Sequence, residues 1–149
     1  MKTKLMDLYI SQTLDANKTP DSVYLFAKSA GIAESEFYNE FSSLESLETE
    51  IFAEWWNKTS EQAGSAEVFN TYSAREKVLS LFFMWIENLK ANRSFVNFLY
   101  KRDHHFPPKM PAYIKPLKEA FSNSMKPILS TAIDTNEVVD RKYLSDKYV

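Results

Sequence analysis

The 149-residue sequence contains no cysteine, only two glycines and only two histidines. Without thiols, disulfide frameworks, thiolate metal sites and cysteine nucleophiles are all excluded. Two glycines, Gly31 and Gly64, are too few for a fold built on tight hairpin turns, so helices joined by short connections are expected. No apolar run approaches the ~20 residues that span a bilayer. Asp7 interrupts the apolar stretch after Met1–Lys4 and breaks any signal-peptide core, so a cytoplasmic location is expected. The histidines, His104 and His105, are adjacent. Neighbours on a helix point ~100° apart and rarely share a metal, so a solvated helix end is expected there and no metal site. The sequence has no convincing His–carboxylate pair, nucleophile elbow or glycine-rich phosphate loop. It therefore implies no catalytic residues, no cofactor and no enzyme.

What is present can build a core. Apolar residues make up 44% and aromatics 15%, while 26% of the residues are charged, which argues against wholesale disorder. The net charge of −2 conceals a segregation. Residues 19–56 hold one cation, Lys28, against eight carboxylates from Asp21 to Glu54. Residues 75–126 hold ten lysines and arginines against four carboxylates. An acidic head precedes a basic body.

Helical spacing recurs along the chain. Leu5, Leu8 and Tyr9 mark a first helix over about 4–15, and Asn17-Lys18 a turn. Thr19-Pro20 has the form of a helix start, with a second helix over 21–30 that Gly31 ends. A third, over 34–41, should bury Phe37, Tyr38 and Phe41 with Phe26, Ala27 and Ile32. Ser42 and Glu45 fit a capping box for a fourth helix that ends near Gly64, and 65–72 reads as a linker. Ser73 and Glu76 form a second such box before an apolar helix that contains Phe82, Phe83, Trp85 and Ile86 and should be buried on several sides. Ser94 is expected to cap the next helix, and three prolines between Phe106 and Pro111 interrupt it. A long helix over 112–133, with a bend at Pro116 or Pro127, leads to a turn at 134–136 and a last helix from about Val139 to Val149.

The run from Ser22 to Leu47 resembles the helix-turn-helix signature of the tetracycline-repressor (TetR) family of transcriptional regulators. Phe26-Ala27, Ala30-Gly31-Ile32, Phe37-Tyr38, Phe41 and Leu47 stand at its structural positions. The resemblance implies an all-α fold: a tri-helical helix-turn-helix head over residues 1–56 and a helical ligand-binding and dimerisation body over 57–149. Asp134–Val138 is similar to the turn that leads to the family's dimer-forming helices. The family's chain continues about two helices further, so either the body is incomplete, truncated at its C-terminus, or dimerisation uses another surface.

By the same resemblance the DNA-facing positions are Ala33, Glu34, Ser35, Glu36, Tyr38, Asn39 and Leu44. The family usually has Ser where Ala33 stands and Lys where Leu44 stands, and that Lys commonly meets a phosphate. Here Glu34, Glu36 and Glu40 occupy the reading helix instead. DNA affinity comes largely from cations at phosphates, so DNA is an electrostatically disfavoured partner. In the body, aromatic residues exceed what a small bundle needs. Phe82, Trp85, Phe98 and Phe121 are expected to line a pocket for a small apolar or lipid-like ligand, with Lys101, Arg102, Lys109 and Lys115 near its mouth. The expected protein is a homodimeric TetR-like regulator with a degenerate, acidic reading surface. The alternatives are a TetR-fold lipid-binding or carrier protein that no longer binds DNA, and an acidic protein-interaction module.

Overall fold

Asn17, Gly31 and Asn136 hold φ values of 50°, 67° and 57°, the left-handed region, and each lies just beyond the end of a helix. The computed structural model describes residues 1–104 and 110–141. These form eight helices and no strand: α1 (Lys2–Ala16), α2 (Val23–Ala30), α3 (Glu34–Tyr38), α4 (Leu44–Ser65), α5 (Glu67–Thr71), α6 (Ala74–Ala91), α7 (Arg93–Asp103) and α8 (Ile114–Asp134). The chain divides into two compact units. The first comprises Met1–Ile51 and Asn92–Ile114, the second Phe52–Ala91 and Lys115–Val149. A segment that a cut at residue 56 assigns to the body, α7, thus belongs with α1–α3.

The first unit is assembled around edge-to-face rings. Tyr9 meets Phe26 at 6.3 Å, Phe26 meets Phe37 at 5.7 Å, and Tyr9 meets Phe95 of α7 at 6.3 Å. Leu5, Phe26, Phe37, Leu47, Ile51 and Leu99 are fully buried with them. Of the residues expected in the head core, Phe26, Ala27, Phe37 and Phe41 are buried and Ile32 is half-buried. Tyr38 is a correction: it is 53% exposed. Phe37 takes the inward direction of a five-residue helix, and the next side chain must point elsewhere.

The helix starts show where capping chemistry overrode the expected frame. α2 begins after Ser22, whose hydroxyl accepts the Leu25 N–H, and not at Thr19-Pro20. Lys18 holds Asp21 at 2.8 Å, which keeps residues 18–21 in a turn. At α4, Ser43 and Ser46 make the reciprocal bonds expected of Ser42 and Glu45: the Ser46 N–H donates to Ser43 Oγ and the Ser43 N–H to Ser46 Oγ. The Ser73–Glu76 box forms as expected. α7 starts at Arg93 behind Asn92, without a cap from Ser94. The expected linker contains α5, whose Phe69 packs on the second unit's core.

In that second unit Trp56, Ala63, Leu81 and Met125 form a buried cluster. The Trp56 indole donates to Ser124 Oγ at 2.9 Å. Glu137, beyond α8, accepts the Ala74 N–H at the start of α6. Pro116 lies in the first turn of α8, where a missing N–H costs little, and Pro127 lies inside the helix. α6 departs from expectation. Of its residues only Leu81 is buried, and Leu79, Phe82, Phe83 and Ile86 are 41–68% exposed on one stripe. The expected last helix falls mostly outside the described residues, as do His105, Lys109 and most of the proline-rich segment.

Gly31 generates a stability prediction. A Cβ there would meet nothing within 4 Å, so the cost of a side chain is backbone strain alone. Gly31→Val should destabilise the protein by about 1–2 kcal/mol, while Gly31→Asn, which tolerates this conformation, should cost much less. Each buried phenylalanine of this unit contributes about 2 kcal/mol, so the variant should be weakened but still folded. Equal urea midpoints for the wild type and the Val variant would contradict this account.

Candidate functional site

The turn at Gly31 presents α3 to solvent. Ala33, Glu34, Ser35, Glu36, Tyr38 and Asn39 are all exposed, and Leu44 is half-buried at the start of α4. Their carboxylates are not equivalent. Glu36 folds back so that its Oε2 accepts the Ala33 N–H at 3.0 Å, whereas Ala33 has no side-chain oxygen to return the bond. Glu34 and Glu40 remain exposed beside it. Three lysines of residues 1–30 are engaged elsewhere. Lys2 pairs with Glu50 and lies over the Phe41 ring, Lys18 pairs with Asp21, and Lys28 lies 6.0 Å from the centre of the Tyr24 ring. The exposed face around α3 therefore carries the Glu34 and Glu40 carboxylates.

A second polar group joins three helices of the same unit. Glu48 of α4 accepts the Tyr9 hydroxyl at 2.6 Å and two N–H bonds from Arg102 of α7, both at 2.7 Å. The other edge of the guanidinium donates to Asp103 at 2.7 and 3.0 Å. Side-chain bonds to Glu48 and then to Asp103 raise the Arg102 pKa, so its charge is permanent. Burial, and then the bond to Glu48, hold the Tyr9 hydroxyl protonated well above the ordinary tyrosine range. Nothing in the sequence pointed to this group: Tyr9 and Arg102 lie 39 and 54 positions from Glu48. Arg102, expected at the mouth of a body pocket, is instead engaged by two carboxylates.

The four residues expected to line that pocket separate. Phe82, Trp85 and Phe121 surround Trp56, with ring centres at 6.4, 5.5 and 5.0 Å. Phe82 and Phe121 also meet each other at 5.8 Å. Phe98 lies on α7 in the other unit, half-buried. Among the described residues no three His, Cys, Asp or Glu side chains converge as metal ligands, and no helix is long and apolar enough to cross a membrane.

Three short helices with a glycine turn, followed by a helical body, define an all-helical protein of the helix-turn-helix class. Residues 77–149 match the family model described as "Tetracyclin repressor-like, C-terminal domain". That match supports the TetR family, whose members are regulators. Comparison with curated proteins and with solved structures finds no match.

The Tyr9–Glu48 bond predicts alkaline sensitivity. The folded-state pKa of Tyr9 is raised, so its contribution to stability is present below the unfolded tyrosine value of ~10 and is lost as pH rises above it. Urea stability should fall with pH above ~10. In Tyr9→Phe that slope should be shallower by up to one proton's worth, about 1.4 kcal/mol per pH unit. Identical slopes in the two proteins would exclude Tyr9 as the group responsible.

Proposed function

We propose that the protein is a cytoplasmic, homodimeric TetR-like regulator, not an enzyme, in which recognition of a small apolar ligand by the body is retained and DNA binding by the head is weak or absent. The observation that carries the second half is the pair of exposed carboxylates, Glu34 and Glu40, on a reading surface where Ala33 and Leu44 replace phosphate-facing groups. A duplex is held mainly by cations that displace counterions from its phosphates. The partial positive charge of a helix terminus is roughly half a unit. It cannot offset two full negative charges, one on the first residue of α3 and one two residues past its end. The aromatic group around Trp56 supports the ligand half, since apolar and aromatic walls suit an acyl or isoprenoid chain. A lipid-binding or carrier protein that has given up DNA shares every one of these features and differs only in having no operator.

The exposed stripe of α6 supports the dimer. Leu79, Phe82, Phe83 and Ile86 lie at i, i+3, i+4 and i+7, with Arg75 near one end and Glu87 near the other. A second copy laid antiparallel on this stripe brings Leu79 against its Phe83 and Arg75 against its Glu87, so one two-fold axis satisfies both apolar and charged contacts.

Two measurements test this reading. Fluorescence anisotropy against the promoter DNA that flanks the protein's own gene should give no sequence-specific binding tighter than about 1 µM at physiological salt. Glu34→Lys combined with Glu40→Lys, which spares the capping Glu36, should raise DNA affinity at least about tenfold. Tight specific binding by the unaltered protein would make it a working repressor. Sedimentation velocity should show a dimer that Phe83→Lys converts to monomer, and a dimer unaffected by that change would remove α6 from the interface.

A further inference from the structure

Three aromatic rings of the first unit differ in what lies over them. Lys2 stands 5.6 Å from the centre of the Phe41 ring, and Lys28 stands 6.0 Å from that of Tyr24. Among the described residues no cation lies over Tyr38. That ring is exposed, and its contact with Phe37 is edge-to-face at 5.6 Å, which covers at most one of its two faces. Carboxylates flank it. Glu34 stands one turn earlier on the same side of α3. Glu40 follows by two residues, and its N–H donates to the Phe37 carbonyl at 3.0 Å, which winds it over the helix end. Both side chains are exposed. Across the Gly31 turn, α2 exposes Tyr24 and Leu25. The two helices are about 12 and 8 Å long, so the corner matches the length of about six extended residues.

We propose that this corner docks an arginine-bearing basic segment of a partner protein, with a guanidinium stacked on the Tyr38 ring between Glu34 and Glu40. A planar guanidinium stacks on an aromatic face and forks onto a carboxylate, and the point charge of an ammonium does neither as well. The partner's apolar side chains lie on Tyr24 and Leu25, the type of residue that anchors protein interfaces. A free polyamine would leave those two side chains uncovered, so a peptide chain is the better occupant. The lysines over Phe41 and Tyr24 are the internal form of the same contact, which Tyr38 offers to a cation from outside. The charge that opposes phosphate here attracts a basic protein. The docking uses Glu34 and Glu40, as the DNA reading does, and needs neither the dimer nor a ligand in the body.

The test titrates the intact protein with fluorescein-labelled peptides of about eight residues that alternate arginine with leucine, lysine with leucine, or arginine with serine. Anisotropy at physiological salt should show the arginine–leucine peptide bound at least about fivefold more tightly than either of the others. Tyr38→Leu should lower that affinity about fivefold and erase the preference for arginine over lysine, while Tyr38→Phe, which keeps the ring, should stay within about twofold of the wild type. Glu34→Gln combined with Glu40→Gln should lower it about tenfold. The same double change at Glu61 and Glu67, exposed positions of the second unit, should leave it unaltered. All these positions are exposed, so unchanged thermal midpoints should accompany each variant. Tight promoter binding by the unaltered protein, with peptide binding still dependent on Tyr38, would sink the DNA reading and uphold this one. No peptide binding, equal binding of the arginine and lysine peptides, indifference to Tyr38→Leu, or equal weakening by the two double glutamate changes would each overturn the proposal.

Discussion

Glu48 has a side chain only 12% exposed, and the first unit is arranged around supplying it with hydrogen-bond donors. Removing a carboxylate from water without compensation costs far more than a domain can spare, and such a group normally neutralises instead. Here one hydroxyl and two guanidinium N–H groups meet it at 2.6–2.7 Å. Bonds this short with a charged guanidinium among the donors are the strong kind, and the donors come from α1 and α7. A packing core of rings alone tolerates sliding. A bidentate pair plus a hydroxyl fixes angle as well as distance. The edge-to-face contacts of Tyr9 with Phe26 and Phe95 depend on that fixation, because the same tyrosine carries both the rings' packing and the carboxylate's bond.

This changes the meaning of the head's acidity. Eight carboxylates against one lysine looked like a single feature of residues 19–56. In the fold they separate by task. Asp21 pins a turn through Lys18, Glu36 satisfies the Ala33 N–H, Glu48 holds Tyr9 and Arg102, and Glu50 takes Lys2. Glu34, Glu40 and Glu45 stay exposed and help define what the surface attracts or repels. Net charge along a sequence therefore overstates the field at a surface, since carboxylates spent on internal partners contribute little beyond them.

The legible parts of this protein were those decided within a few residues. Gly31 as a left-handed turn, the Ser73–Glu76 box and the inward phenylalanines all follow from local spacing, and all stand in the fold. Errors of frame arose where two local solutions compete, as at Ser42–Glu45 against Ser43–Ser46, because serine can occupy either end of a capping box. Tyr38 was misjudged because a five-residue helix has room for one inward aromatic, and Phe37 had the better direction. The grouping of Tyr9, Glu48 and Arg102 was beyond reach, since no periodicity links positions so far apart. The same holds for α6, whose apolar girth in sequence cannot say how many of its faces find a cover.

The buried core and the exposed face around α3 are physically separable in the first unit, and that bears on how the acidic residues there should be understood. Phe26, Phe37 and Leu47 reach full burial, and Phe41 is only 3% exposed, whatever stands at positions 34, 40 and 44, because the core faces one side of α2–α4 and the reading surface the other. Exposed charge changes typically alter stability by a few tenths of a kcal/mol, against about 2 kcal/mol for each buried ring. A head under no demand to bind phosphate can therefore accumulate carboxylates outside without loss inside. Decay of the fold itself would leave marks in the core first. None of the expected core phenylalanines shows one.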